Sequence, residues 1–89
     1  MIRKISVIGA GTMGHGIASA FARFGYEVSI YESFESVRLT CKDKIRSIYE
    51  FFVGEGVMSQ EKLVESLNNI EVFDDLKKSV YDVDYVIEA

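Results

Sequence analysis

The sequence predicts an α/β fold in which a parallel sheet carries helices on its faces. Short β-branched segments alternate with amphipathic segments along all 89 residues. A glycine-rich turn joins the first strand-like segment to the first helix-like segment. A second strand-like segment follows, so that the three fit within about thirty residues, the size of a right-handed crossover unit. Proline is absent and no linker or repeat interrupts the chain, so the pattern indicates one domain or part of one.

Three elements are predicted in the first third of the chain. The run RKISVI at 3–8 is apolar and β-branched, which is typical of a buried strand. Apolar and small residues then recur at helical spacing over 12–24, and Gly25 supplies the left-handed stop that commonly ends a helix. The segment YEVSIYE at 26–32 predicts a second strand that ends on an acidic residue.

The remaining sequence predicts a longer helix, a short helix, a helical turn and two further strands. The longer helix is indicated by an apolar stripe with steps of three and four, and the short helix by a serine at its expected N-cap. The predicted strand order in the sheet is 3-2-1-4. The expected ranges are 34–53 and 60–67 for the helices, with Ser59 as N-cap, 68–73 for the third strand, 74–80 for the turn and 82–89 for the fourth strand.

Composition excludes several classes of partner and site. The net charge is −4 and charges of both signs are interspersed, which argues against nucleic acid or an anionic membrane surface as a partner. No apolar run approaches the ~20 residues of a membrane span, and the N-terminal sequence lacks the pattern of a signal peptide. Cys41 is the only cysteine, so neither an intrachain disulfide nor a multi-cysteine metal site is expected. These features predict a reduced, cytoplasmic protein without a metal site.

The turn GAGTMG at 9–14 has the spacing G-x-G-x-x-G between a strand and a helix, the context in which this motif binds dinucleotides. Gly9 is expected to allow the tight turn, Gly11 to let a pyrophosphate approach the backbone, and Gly14 to let the helix lie close to the sheet. The free N–H groups at the helix N-terminus attract phosphates without any lysine, which reconciles an anionic ligand with the acidic net charge. Gly16 is interpreted as a further packing glycine of this helix.

Glu32 lies 21 residues after Gly11, at the end of the second predicted strand. A carboxylate at this place accepts hydrogen bonds from the adenosine ribose hydroxyls and repels a 2′-phosphate. The sequence therefore predicts NAD rather than NADP as the cofactor. The alternative is a solvated carboxylate at the strand end, with no ligand.

Four further side chains are given expectations. Thr12 is expected to offer its hydroxyl or amide to the phosphates, and Met13 to pack beneath the cofactor or within the core. His15 is the only histidine and is expected to be exposed or to contact a neighbouring helix, not to catalyse. Cys41 lies on the apolar stripe of the longer helix with no basic cluster beside it, so we expect a buried, unreactive thiol.

The stretch KISVIGAGTMGHGIASAFARFGYEVSIYE and the terminal DVDYVIEA closely resemble the amino-terminal domain of the L-3-hydroxyacyl-CoA dehydrogenase family, over essentially all 89 residues. The resemblance implies a Rossmann-like, NAD-binding domain of an oxidoreductase of fatty acid metabolism. Such an enzyme oxidises the 3-hydroxyl of a 3-hydroxyacyl-CoA to a ketone by hydride transfer to NAD. The resemblance also places Ala89 beside the cofactor through its backbone. The expected cofactor-binding residues are Gly9, Gly11, Thr12, Met13, Gly14, Glu32 and Ala89.

The resemblance assigns no catalytic residue, because the family's serine, histidine–glutamate pair and asparagine come after the fourth strand. Residues 1–89 are therefore expected to form a partial NAD-binding Rossmann domain, truncated after the fourth strand and inactive alone. The catalytic remainder and a helical carboxy-terminal domain that forms the dimer are expected in the complete protein. In the isolated fragment, the edge of the fourth strand, Tyr85 to Ala89, is expected to pair with another copy or to remain partly disordered.

Two kinds of partner are expected for the complete protein: an acyl-CoA substrate and further copies in a homo-oligomer. Two other functions stay open at this point. One is a dehydrogenase for another 3-hydroxy acid or a sugar acid, because relatives share the fold while the substrate is selected elsewhere. The other is a non-catalytic nucleotide-binding module, which would bind without turnover.

Overall fold

A computed structural model describes all 89 residues as a four-stranded parallel sheet with helices packed on it. In chain order the elements are β1 (Lys4–Ile8), α1 (Thr12–Arg23), β2 (Glu27–Tyr31), α2 (Glu35–Gly54), α3 (Gln60–Asn68), β3 (Ile70–Phe73), α4 (Leu76–Ser79) and β4 (Tyr85–Glu88). The strands lie in the order β3-β2-β1-β4. The predicted α/β, Rossmann-like sheet is confirmed.

The helix boundaries follow local signals in the sequence. Gly25 adopts a φ of +94° just after α1 and Gly56 a φ of +76° just after α2, so both helices end where glycine tolerates the left-handed conformation. The Ser59 hydroxyl accepts a hydrogen bond from the Lys62 amide at 3.0 Å and caps α3 as predicted. β3 begins at Ile70, two residues later than predicted, because α3 and its C-cap extend further.

The hydrophobic core lies between one face of the sheet and a layer formed by α1, α2 and α3. Apolar residues alternate along the strands, so those of paired strands reach the same face. α4 contacts β2 and β3 from the opposite face, because the right-handed connection from β3 to β4 crosses the sheet in the reverse direction. The strand residues of the core are Ile5, Val7, Val28, Ile30 and Ile70.

Tyr49 of α2 is the largest side chain that is fully buried. Its hydroxyl donates a 2.6 Å hydrogen bond to the carbonyl oxygen of Ser19 in α1. Burial raises the pKa of Tyr49 to about 12. The tyrosine therefore joins the two longest helices through a polar contact within the helix layer.

The parallel strands bring the expected site residues to one edge of the sheet. Gly9, Glu32 and Ala89 directly follow β1, β2 and β4, and the carboxyl ends of parallel strands meet at the same edge. Ile8 of β1 is paired with Tyr31 of β2, so the chain leaves these two strands at the same level. The register thus places the glycine loop beside the turn that follows β2.

β4 pairs with β1 along one side only. Tyr85 is 56% exposed and Val86 is 46% exposed. Pairing of this strand with another copy stays a prediction. Among the helices, none combines the length and apolarity that crossing a membrane requires.

Candidate functional site

The glycine loop begins with a turn that only glycine tolerates well. Gly9 has a φ of +103°, and its amide donates a 2.8 Å hydrogen bond to the carbonyl oxygen of Tyr31 at the end of β2. A Cβ atom at position 9 would also lie 3.2 Å from the carbonyl oxygen of Ala89. The expected role of Gly9 in the tight turn is confirmed.

The N-terminus of α1 has unpaired backbone donors. Its first helical hydrogen bond runs from the His15 amide to the carbonyl of the N-cap, Gly11, so the amides of Thr12, Met13 and Gly14 find no acceptor within the helix. No side chain caps this end, and no acidic residue lies in the first turn. α3 and α4, by contrast, are both capped by side chains. The start of α1 can therefore offer several N–H groups and a partial positive charge to an anion.

Gly11 leaves the space in front of these donors open. A Cβ atom at position 11 would meet nothing within 4 Å. Thr12 and Met13 are both exposed beside it, and Met13 is 70% exposed. The expectation that Met13 packs in the core is therefore wrong. Its other expected position, beneath the cofactor, stays a prediction.

Gly14 lies against the backbone of the loop that precedes it. A Cβ atom at this position would overlap the carbonyl oxygen of Gly9, far inside the 3.0 Å limit for real Cβ contacts, and would lie 3.5 Å from Cβ of Ala89. The overlapping atoms belong to the backbone of Gly9, so no flexible side chain can move aside. The prediction that Gly14 permits close packing of the helix is confirmed.

Gly16 does not have the packing role that its position in a stripe of small residues suggested. A Cβ atom at position 16 would meet nothing within 4 Å, and the residue is only half-buried. The helix therefore approaches the sheet at Gly14, Ala18 and Ala22, which are buried, and Gly16 lies off that face.

Glu32 is buried, with 8% of its surface exposed, and both carboxylate oxygens are engaged. Oε1 accepts a 2.8 Å hydrogen bond from the Ala10 amide in the glycine loop, and Oε2 accepts one of 3.0 Å from the Phe34 amide. Burial alone would raise the pKa of Glu32, but the Ala10 and Phe34 amides and the charge of Arg38 outweigh it and hold this pKa below its ordinary value. The carboxylate is therefore not solvated as the alternative required, and its contact with a ribose stays a prediction.

The carboxylate retains acceptor capacity for a ligand. Each carboxylate oxygen has about two lone-pair sites, and each oxygen of Glu32 uses one for a backbone amide of this chain. The side chain can therefore fix the loop and accept further hydroxyl donors. The predicted ribose contact is compatible with this geometry, although the carboxylate is less free than the sequence suggested.

Arg38 is a residue of this site that the sequence did not reveal. Its Nη1 donates to the carbonyl oxygens of Glu32 at 2.9 Å and Ser33 at 3.4 Å, across the turn between β2 and α2. A basic residue in the first turns of a helix carries no sequence signal for such a contact. The guanidinium holds the turn in place beside the Glu32 carboxylate.

Ala89 completes the arrangement from the end of β4. Its amide donates a 3.0 Å hydrogen bond to the carbonyl oxygen of Ile8. Its carbonyl oxygen faces Gly9, and its Cβ atom faces Gly14. The structure thus brings together the glycine loop, the strand-end acid and the residue after the fourth strand.

The side chains of Cys41 and His15 are not hydrogen-bonded to this arrangement, although the His15 amide belongs to the first turn of α1. Cys41 is fully buried, and burial raises its pKa to about 11. The expected burial of the thiol is therefore confirmed, and its lack of reactivity stays a prediction. His15 is half-buried, and its Nδ1 atom is buried without a hydrogen-bond partner. No three residues among the His, Cys, Asp and Glu side chains are grouped so that they could hold a metal ion.

Comparison with known proteins identifies the family. Residues 4–89 match the family described as the NAD binding domain of 3-hydroxyacyl-CoA dehydrogenase. This chain belongs to that family. The family resemblance and the prediction of NAD as the cofactor are thereby confirmed. The match does not test the seven expected binding residues, which stay predictions.

Individual relatives of this NAD-binding domain include a multifunctional protein and a 3-hydroxybutyryl-CoA dehydrogenase. The chain is 35% identical over 88 residues to the peroxisomal fatty acid beta-oxidation multifunctional protein MFP2 of Arabidopsis thaliana, covering 99% of this chain. It is 33% identical over 88 residues to a 3-hydroxybutyryl-CoA dehydrogenase of Mycobacterium tuberculosis, again over 99% of this chain. A crystal structure of FadB2 from Mycobacterium tuberculosis superposes with a TM-score of 0.94 at 33% identity, over 99% of this chain and 30% of that one. The chain spans 12% of the length of the first relative and 30% of that of the second.

Proposed function

We propose that this chain binds NAD at the carboxyl edge of its sheet, with the pyrophosphate at the glycine loop and the adenosine ribose at Glu32. The open space in front of Gly11 and the uncapped start of α1 fit a pyrophosphate, which needs N–H donors and close approach to the backbone. The backbone of Ala89 flanks the same loop. The proposed contact residues are Gly9, Gly11, Thr12, Met13, Gly14, Glu32 and Ala89.

The hydrogen bond between Glu32 and Ala10 is the observation that carries this proposal. It ties the predicted ribose acceptor to the predicted phosphate loop at 2.8 Å, although the two residues are 22 positions apart in the sequence. One carboxylate would thus contact the ribose and also hold the loop that is proposed to bind the phosphates.

We further propose that the complete protein oxidises the 3-hydroxyl of a 3-hydroxyacyl-CoA to a ketone. Bound NAD supplies the hydride acceptor in such a reaction, and the protein must add a base for the substrate hydroxyl. The role of residues 1–89 is to bind and orient the cofactor, and no catalytic residue is assigned among them. The proposal includes an acyl-CoA substrate, a homo-oligomeric assembly, a catalytic remainder outside residues 1–89 and, from the sequence, a cytoplasmic location.

Calorimetric titration of the chain with NAD tests the cofactor site. Glu32→Ala is expected to weaken NAD binding at least about tenfold, because hydrogen bonds to a charged acceptor are lost, and to raise the affinity for NADP relative to NAD. Glu27→Ala is the matched control, since Glu27 is exposed at the other end of the same strand. Equal NAD affinity of the Glu32 and Glu27 variants would show that Glu32 is not the ribose acceptor.

Reduction of NAD by the complete protein with 3-hydroxybutyryl-CoA tests the activity. Turnover with this substrate is expected, and the non-esterified 3-hydroxy acid is expected to react far more slowly. Preferential turnover of a free 3-hydroxy acid or sugar acid would favour the alternative that the protein is a dehydrogenase for such an acid. NAD binding without turnover of any of these substrates would favour a non-catalytic module.

A further inference from the structure

Phe34 combines a fixed backbone with an exposed ring. Its amide donates to Oε2 of Glu32 at 3.0 Å, and its carbonyl oxygen accepts a 2.9 Å hydrogen bond from the Arg38 amide at the start of α2. Arg38 holds the two preceding carbonyl groups through Nη1. The ring nevertheless remains 71% exposed. The turn therefore presents a flat apolar surface from a backbone that is held on both sides.

The position of this ring is defined by the same carboxylate that is proposed to bind the adenosine ribose. Phe34 follows Glu32 by two residues, and its amide donates a hydrogen bond to Oε2 of the carboxylate. Oε1 accepts a hydrogen bond from Ala10 in the glycine loop. In adenosine, the base is joined directly to the ribose. A base whose ribose lies at Glu32 must therefore lie close to this turn.

We propose that the ring of Phe34 stacks on the adenine base of NAD and so forms the base-binding surface of the site. This inference rests on the proposed function, because it uses Glu32 as the ribose acceptor. Stacking suits adenine, whose faces are apolar and aromatic, and an exposed phenylalanine supplies the partner without any polar group. The guanidinium of Arg38 has three further N–H donors that find no acceptor in this chain, and they lie beside the same turn.

The other strongly exposed phenylalanines lack this relationship. Phe24 is 73% exposed but lies beyond the end of α1, in a shallow depression shared with Met1 and Arg3 at the amino edge of the sheet. Phe51 is 63% exposed near the end of α2. Neither is hydrogen-bonded to a residue of the candidate site, so both serve as controls of matched chemistry.

Substitution to alanine is the first test. Phe34→Ala is expected to weaken the binding of ADP-ribose about tenfold, the loss that a stacked base commonly shows, whereas Phe24→Ala is expected to leave it unchanged. Phe34→Tyr retains an aromatic face and is expected to bind like the wild type. Calorimetry measures all four proteins, and circular dichroism verifies that each is folded. Equal affinities of Phe34→Ala and the wild type would overturn the inference.

A fluorescent variant tests the stacking directly, independently of the size of the affinity change. The chain contains no tryptophan, so Phe34→Trp introduces a single indole whose emission reports on its surroundings. Titration with ADP-ribose is expected to quench this emission with the same midpoint as the calorimetric titration. The control Phe24→Trp is expected not to respond. No change for Phe34→Trp at saturating ADP-ribose would also overturn the inference.

The outcomes separate this inference from the proposed function. If the wild type binds ADP-ribose and Phe34 proves indifferent, the base lies elsewhere and the NAD site stands. If the wild type binds neither ADP-ribose nor NAD, the proposed function itself fails and the inference fails with it.

Discussion

The carbonyl oxygen of Gly9 occupies the space in which a side chain at Gly14 would begin. These two glycines are the first and the last of the G-x-G-x-x-G motif, and Gly14 already belongs to α1. Each restricts the other because backbone meets backbone. The first turn of α1 can approach the end of β1 only while position 14 has no Cβ atom.

Gly14→Ala is therefore expected to lower the free energy of unfolding by about 3 kcal/mol, the upper end of what overpacking commonly costs. Gly16→Ala provides a control two residues further along the same helix, where a Cβ atom meets nothing within 4 Å. It is expected to stabilise the chain by up to about 1 kcal/mol through helix propensity. Urea unfolding followed by circular dichroism measures both. Effects of the same sign and size would contradict the close approach at Gly14.

Tyr49→Phe removes the hydroxyl that donates to the carbonyl oxygen of Ser19 at 2.6 Å while keeping the buried ring. The expected cost is about 1 kcal/mol, the typical contribution of one hydrogen bond. Tyr81→Phe is the matched control, because Tyr81 is 78% exposed and its hydroxyl has no partner in the chain. The free energies of unfolding of the two variants, compared with that of the wild type, measure the contribution of the buried hydrogen bond. A Tyr49→Phe variant as stable as the Tyr81→Phe variant would mean that the contact contributes nothing.

The stability of the chain is expected to fall in acid through Glu32. Because its pKa in the folded chain lies below the ordinary value of 4.5, the unfolded chain takes up the proton first as the pH falls. The stabilisation is thus present above about pH 4.5 and is lost as the pH falls through the folded pKa. Glu32→Gln is expected to be less stable at neutral pH and to depend less on pH below 4.5.

Unfolding free energies measured from neutral to acidic pH test this, with Glu27→Gln as the control on the same strand. Glu27 is exposed, so its replacement is expected to leave the acid dependence as in the wild type. An unchanged acid dependence in Glu32→Gln would show that other groups cause it.

Cys41 is expected to resist thiol reagents in the folded chain. It is fully buried, and a pKa of about 11 leaves little thiolate at mildly alkaline pH. Modification by an aromatic disulfide reagent should therefore be slow and should become fast in denaturant. Rapid labelling of the native chain would show that the thiol is accessible.

The fold could be predicted closely because its signals are local. Strand and helix periodicities, the glycines at positive φ and the Ser59 cap all act within a few residues of the elements that they define. The glycine spacing also predicted the roles of Gly9 and Gly14 correctly. These positions require glycine for reasons that a strand-to-helix turn itself imposes.

Contacts between distant elements could not be predicted in the same way. The buried hydrogen bond of Tyr49 depends on the position of a carbonyl group in α1. The orientation of Glu32 toward the glycine loop depends on the register of β1 with β2. Gly16 shares its helical spacing with the small residues that pack on the sheet, but spacing does not show which of these residues meets the sheet. In each case the missing information is the relative placement of two elements.

The hydrogen bond between Glu32 and Ala10 limits how the cofactor preference can be engineered. NADP has a phosphate where Glu32 is proposed to hold a hydroxyl, so replacement of Glu32 is the obvious first change toward NADP. In this chain that change also removes the acceptor from the buried Ala10 amide, and it would disturb the phosphate loop for either cofactor. A redesign is better begun at Ser33, whose exposed side chain lies next to Glu32. A substitution there leaves the Ala10 and Phe34 amides hydrogen-bonded to the Glu32 carboxylate.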